Sequence, residues 1–338
     1  MENLNILALT LGENTPSSRF RVRKLTPELT RFNINVDELY AKYGSYPPAG
    51  SINRLGWLPL ALKDAYLRVR KSKDYDLCLV QKPLLSTLIT FEPFIRKPFI
   101  FDVDDAVHLG KRGGLINKIA QKSAHVICGN QFLAEHYSKF AEVTILPTAV
   151  DTGYFYPQKT KDDRLTIGWS GSSSGFKYLY NIEAQLLEVL NRHSEACIKI
   201  VSNEPPKFKL IDPTRIIFEK WTSDTEVQAI QDFSVGLMPL DDNQWERGKC
   251  SYKMLTYMSV GVPVVVSDVG MNISVMSHGE SGYLASTPSD WIEAISELLN
   301  SQSLREKMGG IGRKVVCEHY SNNVIVPQLT RVIRNICK

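Results

Sequence analysis

A chain of 338 residues, 43% hydrophobic and 22% charged, is long enough for two globular domains. Its apolar runs are far shorter than the ~20 residues of a membrane span. Its six cysteines include no CxxC pair, which excludes a disulfide frame and a zinc site and suits reduced thiols in a cytosolic protein. The net charge of +4 is uneven: residues 1–160 hold 21 Lys+Arg against 15 Asp+Glu, and the remainder 19 against 21. That excess favours a phosphate or a lipid surface in the N-terminal half, and without a zinc finger, RNP-like aromatic motif or helix-turn-helix it argues against nucleic acid.

The elements alternate. MENLNILALTL begins with an acidic residue and a β pattern, so it reads as a strand at 5–10 rather than a signal peptide. A helix is predicted over 17–32, a strand over 34–40, a helix over 57–73 and a strand over 75–80. A helix over 84–95, a strand over 98–103, a helix over 114–122, a strand over 125–128, a helix over 131–139 and a strand over 143–146 follow. Residues 151–164, DTGYFYPQKTKDDR, are turn-rich and poor in aliphatics, which marks a linker. The pattern then restarts with strands over 165–169, 197–201, 216–219, 233–240 and 262–266. Helices are predicted over 176–192, 224–232, 251–259, 289–300, 303–318 and 322–336. Repeated βα units imply doubly wound parallel sheets, whose ligands sit at the carboxyl ends of the strands. The expected division is 1–155, then 156–318, with 319–338 as a C-terminal helix packing back on the first domain.

The most informative stretch is GLMPLDDNQWERGKCSYKMLTYMSVGVPVVVSDVG, from Gly236 to Gly270. It reads as strand, basic loop, helix, tight turn and strand. Arg247, Lys249 and Lys253 surround a helix start, where exposed N–H groups and the helix dipole also favour an anion. The small-residue turn Gly171, Ser172, Ser173, Ser174 and Gly175 after the first strand of the second half, with Lys177 behind it, is either a phosphate cradle or a permissive βα turn.

In the first half, FDVDDAVHLG places Asp102, Asp104 and Asp105 at a strand end, with His108 beyond them. DxD spelled by Asp102 and Asp104 could hold a metal. The other readings are a carboxylate that orients an acceptor hydroxyl with help from His108, or a structural turn. Arg19, Arg21 and Arg23 crowd the first turns of the predicted helix 17–32, where cations oppose the dipole, so they suit a phosphate or form a solvated basic face. Residues 57–73 mix Trp57, Leu60 and Leu67 with Lys63, Arg68, Arg70 and Lys73, which suits either core packing or peripheral contact with an anionic membrane.

These residues resemble the retaining "group 1" family of nucleotide-sugar glycosyltransferases with the GT-B fold. WSGSSSGFKYL is similar to the family's glycine turn and lysine, and KMLTYMSVGVPVVVSDVG to its helix-Gly-Pro-strand signature. HGESGYLAS and LREKMGGIGRKVVCEHYS are like the following turn and C-terminal helices. In the first half, SSRFRV, FDVDDAVHL and VICGNQFLAEHY are like one branch of the family.

The resemblance implies two Rossmann-like domains facing across a cleft. It also implies transfer of a hexose-type sugar from a nucleoside diphosphate to a hydroxyl of a glycan or glycolipid, as in polysaccharide biosynthesis. The implied roles place Gly171, Ser172, Ser173, Ser174, Lys177, Arg247, Lys249 and Lys253 on the donor diphosphate and Thr256 on its ribose. Asp104, Asp105 and His108 fall on the acceptor, and Arg19 and Arg21 on the acceptor or phosphate side. No cofactor or metal is expected. The chain departs from the family where two glutamates eight positions apart are usual, because Gly248 and Thr256 stand there, and Ser172 stands near the family's arginine. Two alternatives stay open, a non-catalytic nucleotide- or glycan-binding protein and a metal-dependent transferase using Asp102 and Asp104. A cytoplasmic protein is expected, peripheral at the inner face of the membrane if 57–73 touches lipid.

Overall fold

A computed structural model describes residues 2–13, 15–85, 91–158 and 164–338. The chain forms two compact units: Met1–Ala149 with Arg247–Cys250 and Asn322–Lys338, and Val150–Glu246 with Ser251–Ser321. The division therefore falls at Ala149 rather than at 155, and the basic loop Arg247–Cys250 is counted with the first unit.

The first unit is built on six parallel strands. They are β1 (Leu4–Thr10), β2 (Ile34–Tyr40), β3 (Leu77–Gln81), β4 (Phe99–Val103), β5 (His125–Cys128) and β6 (Val143–Ile145), in the order β2-β1-β3-β4-β5-β6. Strands β3, β4 and β5 are buried on every residue, as a parallel sheet covered on both faces requires. Alternation along them fills two cores. Leu7, Leu9, Val80, Phe101 and Val103 point into one, and Ile6, Ala8, Leu79 and Ile100 into the other. The second core is closed by Ile325, Val326, Leu329 and Ile333 of the helix Asn322–Ile336, so the first and last elements of the chain share one core. Each such side chain contributes about 1.5–3 kcal/mol by leaving water.

The helix expected over 17–32 is broken. A short turn Pro16–Ser18 runs into a π-helical turn Arg19–Arg23, and a separate helix covers Thr26–Thr30. Lys24 N donates to Arg19 O at 2.9 Å, a five-residue step that widens the turn. The periodicity of this stretch does not show the break, because beside Val22 the turn buries Arg21, a charged residue held by a distant partner. Of the helix expected over 84–95, residues 86–90 lie outside the described residues, and the described part is helical only in the 3-10 turn Glu92–Phe94. Residues 159–163 of the expected linker, including Asp162 and Asp163, also lie outside the described residues.

The second unit has β7 (Thr166–Ser170), β8 (Cys197–Ser202), β9 (Ile216–Lys220), β10 (Val235–Met238), β11 (Val264–Ser267) and β12 (Tyr283–Ala285), in the order β12-β11-β10-β7-β8-β9. The chain leaves β7 toward β8 on one side and returns to β10 on the other. The carboxyl ends of β7 and β10 are thus a topological switch point, where ligands of such sheets bind. β12 and the helix Met271–Val275 were not expected, being too short to show a period. Gly261 has φ +78°, which ends the helix Tyr252–Ser259 at the cost of no Cβ clash.

Candidate active site

Strand β7 ends at Ser170, and the buried Tyr257 holds it. The Tyr257 hydroxyl accepts from Ser170 N at 2.7 Å and donates to Ser170 O at 3.3 Å. Tyr257→Phe leaves the Ser170 N–H without this acceptor, and urea unfolding should show a loss of about 1–3 kcal/mol.

Beyond Ser170 the chain turns into the 3-10 segment Ser173–Gly175 and the helix Phe176–Asn181. Three of its amides have acceptors within the unit. Gly171 N donates to Val201 O at 3.0 Å and Gly175 N to Ser172 O at 2.9 Å. Ser173 N donates to Asn203 Oδ1 at 2.8 Å, and Asn203 Nδ2 returns a bond to Ser173 Oγ at 3.1 Å. The Ser172 and Ser174 hydroxyls bond each other at 2.7 Å. Within the expected backbone cradle over Ser172–Ser174, Ser173 N is thus taken up by Asn203, while the Gly171 and Gly175 amides on its flanks are taken up by the backbone. Asn203, after β8, was not anticipated, since an Asn after a strand has no distinguishing pattern.

What the turn does present is a lysine. Lys253, in the first turn of its helix, places Nζ 4.4 Å from the centre of the buried Trp169 ring. A Cβ at Gly171 would lie 2.6 Å from Lys253 Cε and 2.8 Å from Trp169 Cη2. Only glycine at 171 leaves room for the ammonium against the turn. Lys177, the second expected cation, is exposed. It lies 4.5 Å over the Tyr178 ring and 4.0 Å from the carboxylate of buried Glu246, to which the Tyr178 hydroxyl also donates. Thr256 is corrected as a ribose ligand, because it is buried and its hydroxyl donates to Lys253 O at 2.7 Å.

In the first unit the acidic cluster is laced with cations. Arg21 is buried and grips Asp102 with two bonds, Nε to Oδ2 at 2.7 Å and NH2 to Oδ1 at 2.5 Å, and also reaches Leu146 O and Thr148. Arg21 is thus a structural partner of Asp102 rather than a phosphate ligand. Arg19 lies 5.0 Å from the Phe20 ring. Lys82 was missed by sequence reasoning. Its ammonium donates to Asp105 at 2.5 Å and forms an ion pair with Asp104 at 2.8 Å, and it is itself buried. Its backbone is left-handed, φ +55°, an uncommon state for a lysine that costs order 1 kcal/mol. Asp102 and Asp104 therefore do not share one site as a DxD metal pair would, since each carboxylate has its own buried cation.

Burial works against the Lys82 charge, yet Asp104 and Asp105 overcome it and hold its pKa above the usual range. Asp105 is pushed up from the ordinary carboxylate value, first by burial and then by Asp104, with Lys82 and Lys249 opposing. The loop Arg247–Cys250 is fastened beside this cluster through its backbone and Cys250, which leaves the expectation for the Arg247 and Lys249 side chains as it stood. Asn130 Nδ2 donates to Arg247 O at 3.1 Å and Lys249 O at 2.9 Å, while Cys250 Sγ donates to Asp104 O at 3.3 Å.

His108 is nearly buried and stacked on His136, with ring centres 3.8 Å apart. Burial, then the neighbouring His136, lower its pKa to about 4. It is therefore neutral near pH 7, a hydrogen-bonding group rather than a cation. An unfolded histidine titrates near ~6.5, so the native state binds fewer protons between there and about 4. Stability contributed by His108 is present above that window and lost as pH falls through it. His108→Phe should flatten the acid limb of a stability–pH curve measured by urea.

Residues 165–301 match the family model described as Glycosyl transferases group 1. No curated protein sequence matches significantly. The whole chain superposes on solved structures. Sucrose-phosphate synthase from Thermosynechococcus elongatus is 14% identical at TM-score 0.71, with 99% of each chain covered. The Anabaena protein HepE in complex with UDP and glucose is 14% identical at TM-score 0.73, with 98% of this chain and 100% of that chain covered. A glycosyltransferase from Rickettsia africae is 12% identical at TM-score 0.67, covering 100% of both. The chain has the two-sheet GT-B fold, and its segment 165–301 matches the model of group 1 glycosyl transferases.

Proposed function

We propose that this transferase moves a sugar from a nucleoside diphosphate to a hydroxyl of a glycan or glycolipid, with retention of anomeric configuration. The observation that carries the reading is Lys253, held on Trp169 beside the side-chain-free Gly171 at the switch point of a sheet whose domain matches the group 1 family. An ammonium there stabilises the charge that develops on a departing diphosphate. The C1–O bond to phosphate breaks, the acceptor oxygen bonds C1 on the same face, and the departing phosphate oxygen takes the acceptor proton. No strong protein base is then needed, and no bound metal. Asp104 and Asp105, oriented by Lys82, hold the acceptor hydroxyl, with neutral His108 nearby in sequence.

HepE is solved with UDP and glucose, so UDP and UDP-sugars head the ligands to test. In a thermal-shift screen of UDP, GDP, ADP and their sugars, one series should raise the melting temperature by roughly 5 °C at a hundredfold excess over Kd. A flat response across all of them would overturn the donor assignment. Turnover with the responding donor should survive a chelator, and loss on chelation would revive the metal-dependent alternative.

A further inference from the structure

The helix Ser51–Arg70 is anchored by one half only. Ala61, Ala65, Arg68 and Val69 are buried. Residues Ser51–Leu60 are exposed throughout apart from half-buried Trp57. That free half is rich in aliphatics: Ile52 is 85% exposed and Leu55 75%, with Leu58 and Leu60 beside them. Tyr66 and Leu67 continue the outer face. Trp57 Nε1 donates to Tyr43 O at 2.8 Å, which brings the exposed Tyr43 against the same half. Water-facing aliphatics at this density mark a surface that something covers.

Charge selects the occupant. Residues 46–73 contain six Lys or Arg and a single acid, Asp64. Asp64 is tied to Arg68 at 2.9 Å with little exposure, so the accessible charge is entirely positive. Protein interfaces are depleted of lysine at their cores, whereas helices lying at a lipid surface combine Leu and Trp with Lys and Arg. We infer that the first half of this helix, with Tyr43, inserts its aliphatic side chains into an anionic lipid surface while Arg54, Lys63 and Arg70 meet the headgroups. The contact thus centres on 52–67 rather than on 57–73, since Arg68, Val69 and Ser72 are buried. It stands independently of the transferase assignment.

The test uses the full chain without donor or acceptor, sedimented with vesicles of phosphatidylcholine alone or mixed equally with phosphatidylglycerol. Binding should appear on the mixed vesicles, be weak on phosphatidylcholine, and fall as salt rises from about 0.1 to 1 M. The double variant Ile52→Glu, Leu55→Glu should lower partitioning at least tenfold with an unchanged melting temperature, both positions being exposed. Lys63→Gln and Arg70→Gln should each lower it about fivefold. Absence of binding to mixed vesicles, or equal binding by the double variant, would overturn the inference. A parent that is dimeric by size exclusion, becomes monomeric in the double variant and ignores vesicles would assign the face to a second copy instead.

Discussion

Lys82→Met should cost about 3 kcal/mol of stability at neutral pH and lower kcat/KM about a hundredfold. The parent lysine is buried between Asp104 and Asp105, at 2.8 and 2.5 Å. Removing it leaves two neighbouring carboxylates with their principal cation gone. A broken buried ion pair is destabilising out of proportion to the net value of the intact one, because the remaining charge stays desolvated. Asp105 retains some exposure, which keeps the loss at about 3 kcal/mol rather than higher. The effect on turnover follows from position, since Lys82 orients the carboxylates proposed to hold the acceptor.

The pH dependence separates charge from packing. Asp105 already titrates above an ordinary carboxylate, and Lys82 is the stronger of the two cations that oppose the shift. In the variant its native pKa rises further. A carboxyl raised in the native state binds more protons than the unfolded chain between about pH 4 and its raised value, so stability falls as pH rises through that window. The deficit of Lys82→Met relative to the parent should therefore be widest near neutrality and shrink toward acid. A deficit equal at every pH would assign Lys82 a packing role alone. Lys82→Gly is the second check: it removes the same charge but relieves the left-handed backbone, so it should be less destabilised than Lys82→Met.

The parts of this structure that were legible in the sequence are those set by local pattern. β-branched and aliphatic runs such as Val264–Val266 and Leu77–Val80 signalled strands buried on both faces, and their alternation with helices signalled two parallel sheets. The glycine turn was also legible, and the structure gives its reason, because Trp169 and Lys253 crowd Gly171. What stayed hidden are pairings that depend on strand order. Nothing local to Arg21 marks Asp102 as its partner 81 positions away. A lone Lys82 after β3 becomes informative only once β4 lies beside it and delivers Asp104 and Asp105. Gly248 reads from sequence as a lost glutamate. In the structure a Cβ there would lie 2.6 Å from Ala106 Cβ and 2.8 Å from Ala106 N, so the loop's close approach to the acidic turn demands glycine.

Lys253→Ala should lower kcat/KM by about 10²–10³ and leave the fold nearly intact, because it removes a cation from the proposed leaving group while its aromatic seat remains. The loss should fall mainly on kcat if the ammonium meets charge that develops in the transition state, and on KM if it only binds the donor's ground state. Gly171→Ala tests the same assignment without touching a charge. Its methyl would meet Lys253 Cε at 2.6 Å and Nζ at 2.7 Å, and the buried Trp169 ring at 2.8 Å. The ring is held in the core, so the flexible lysine gives way and its ammonium leaves the turn. Gly171→Ala should accordingly reproduce much of the Lys253→Ala loss, and the double variant should be little worse than either single one. Losses that multiply would mean that the two positions act separately, with Gly171 serving the backbone path alone. Full activity in Lys253→Ala would remove the diphosphate from this lysine altogether.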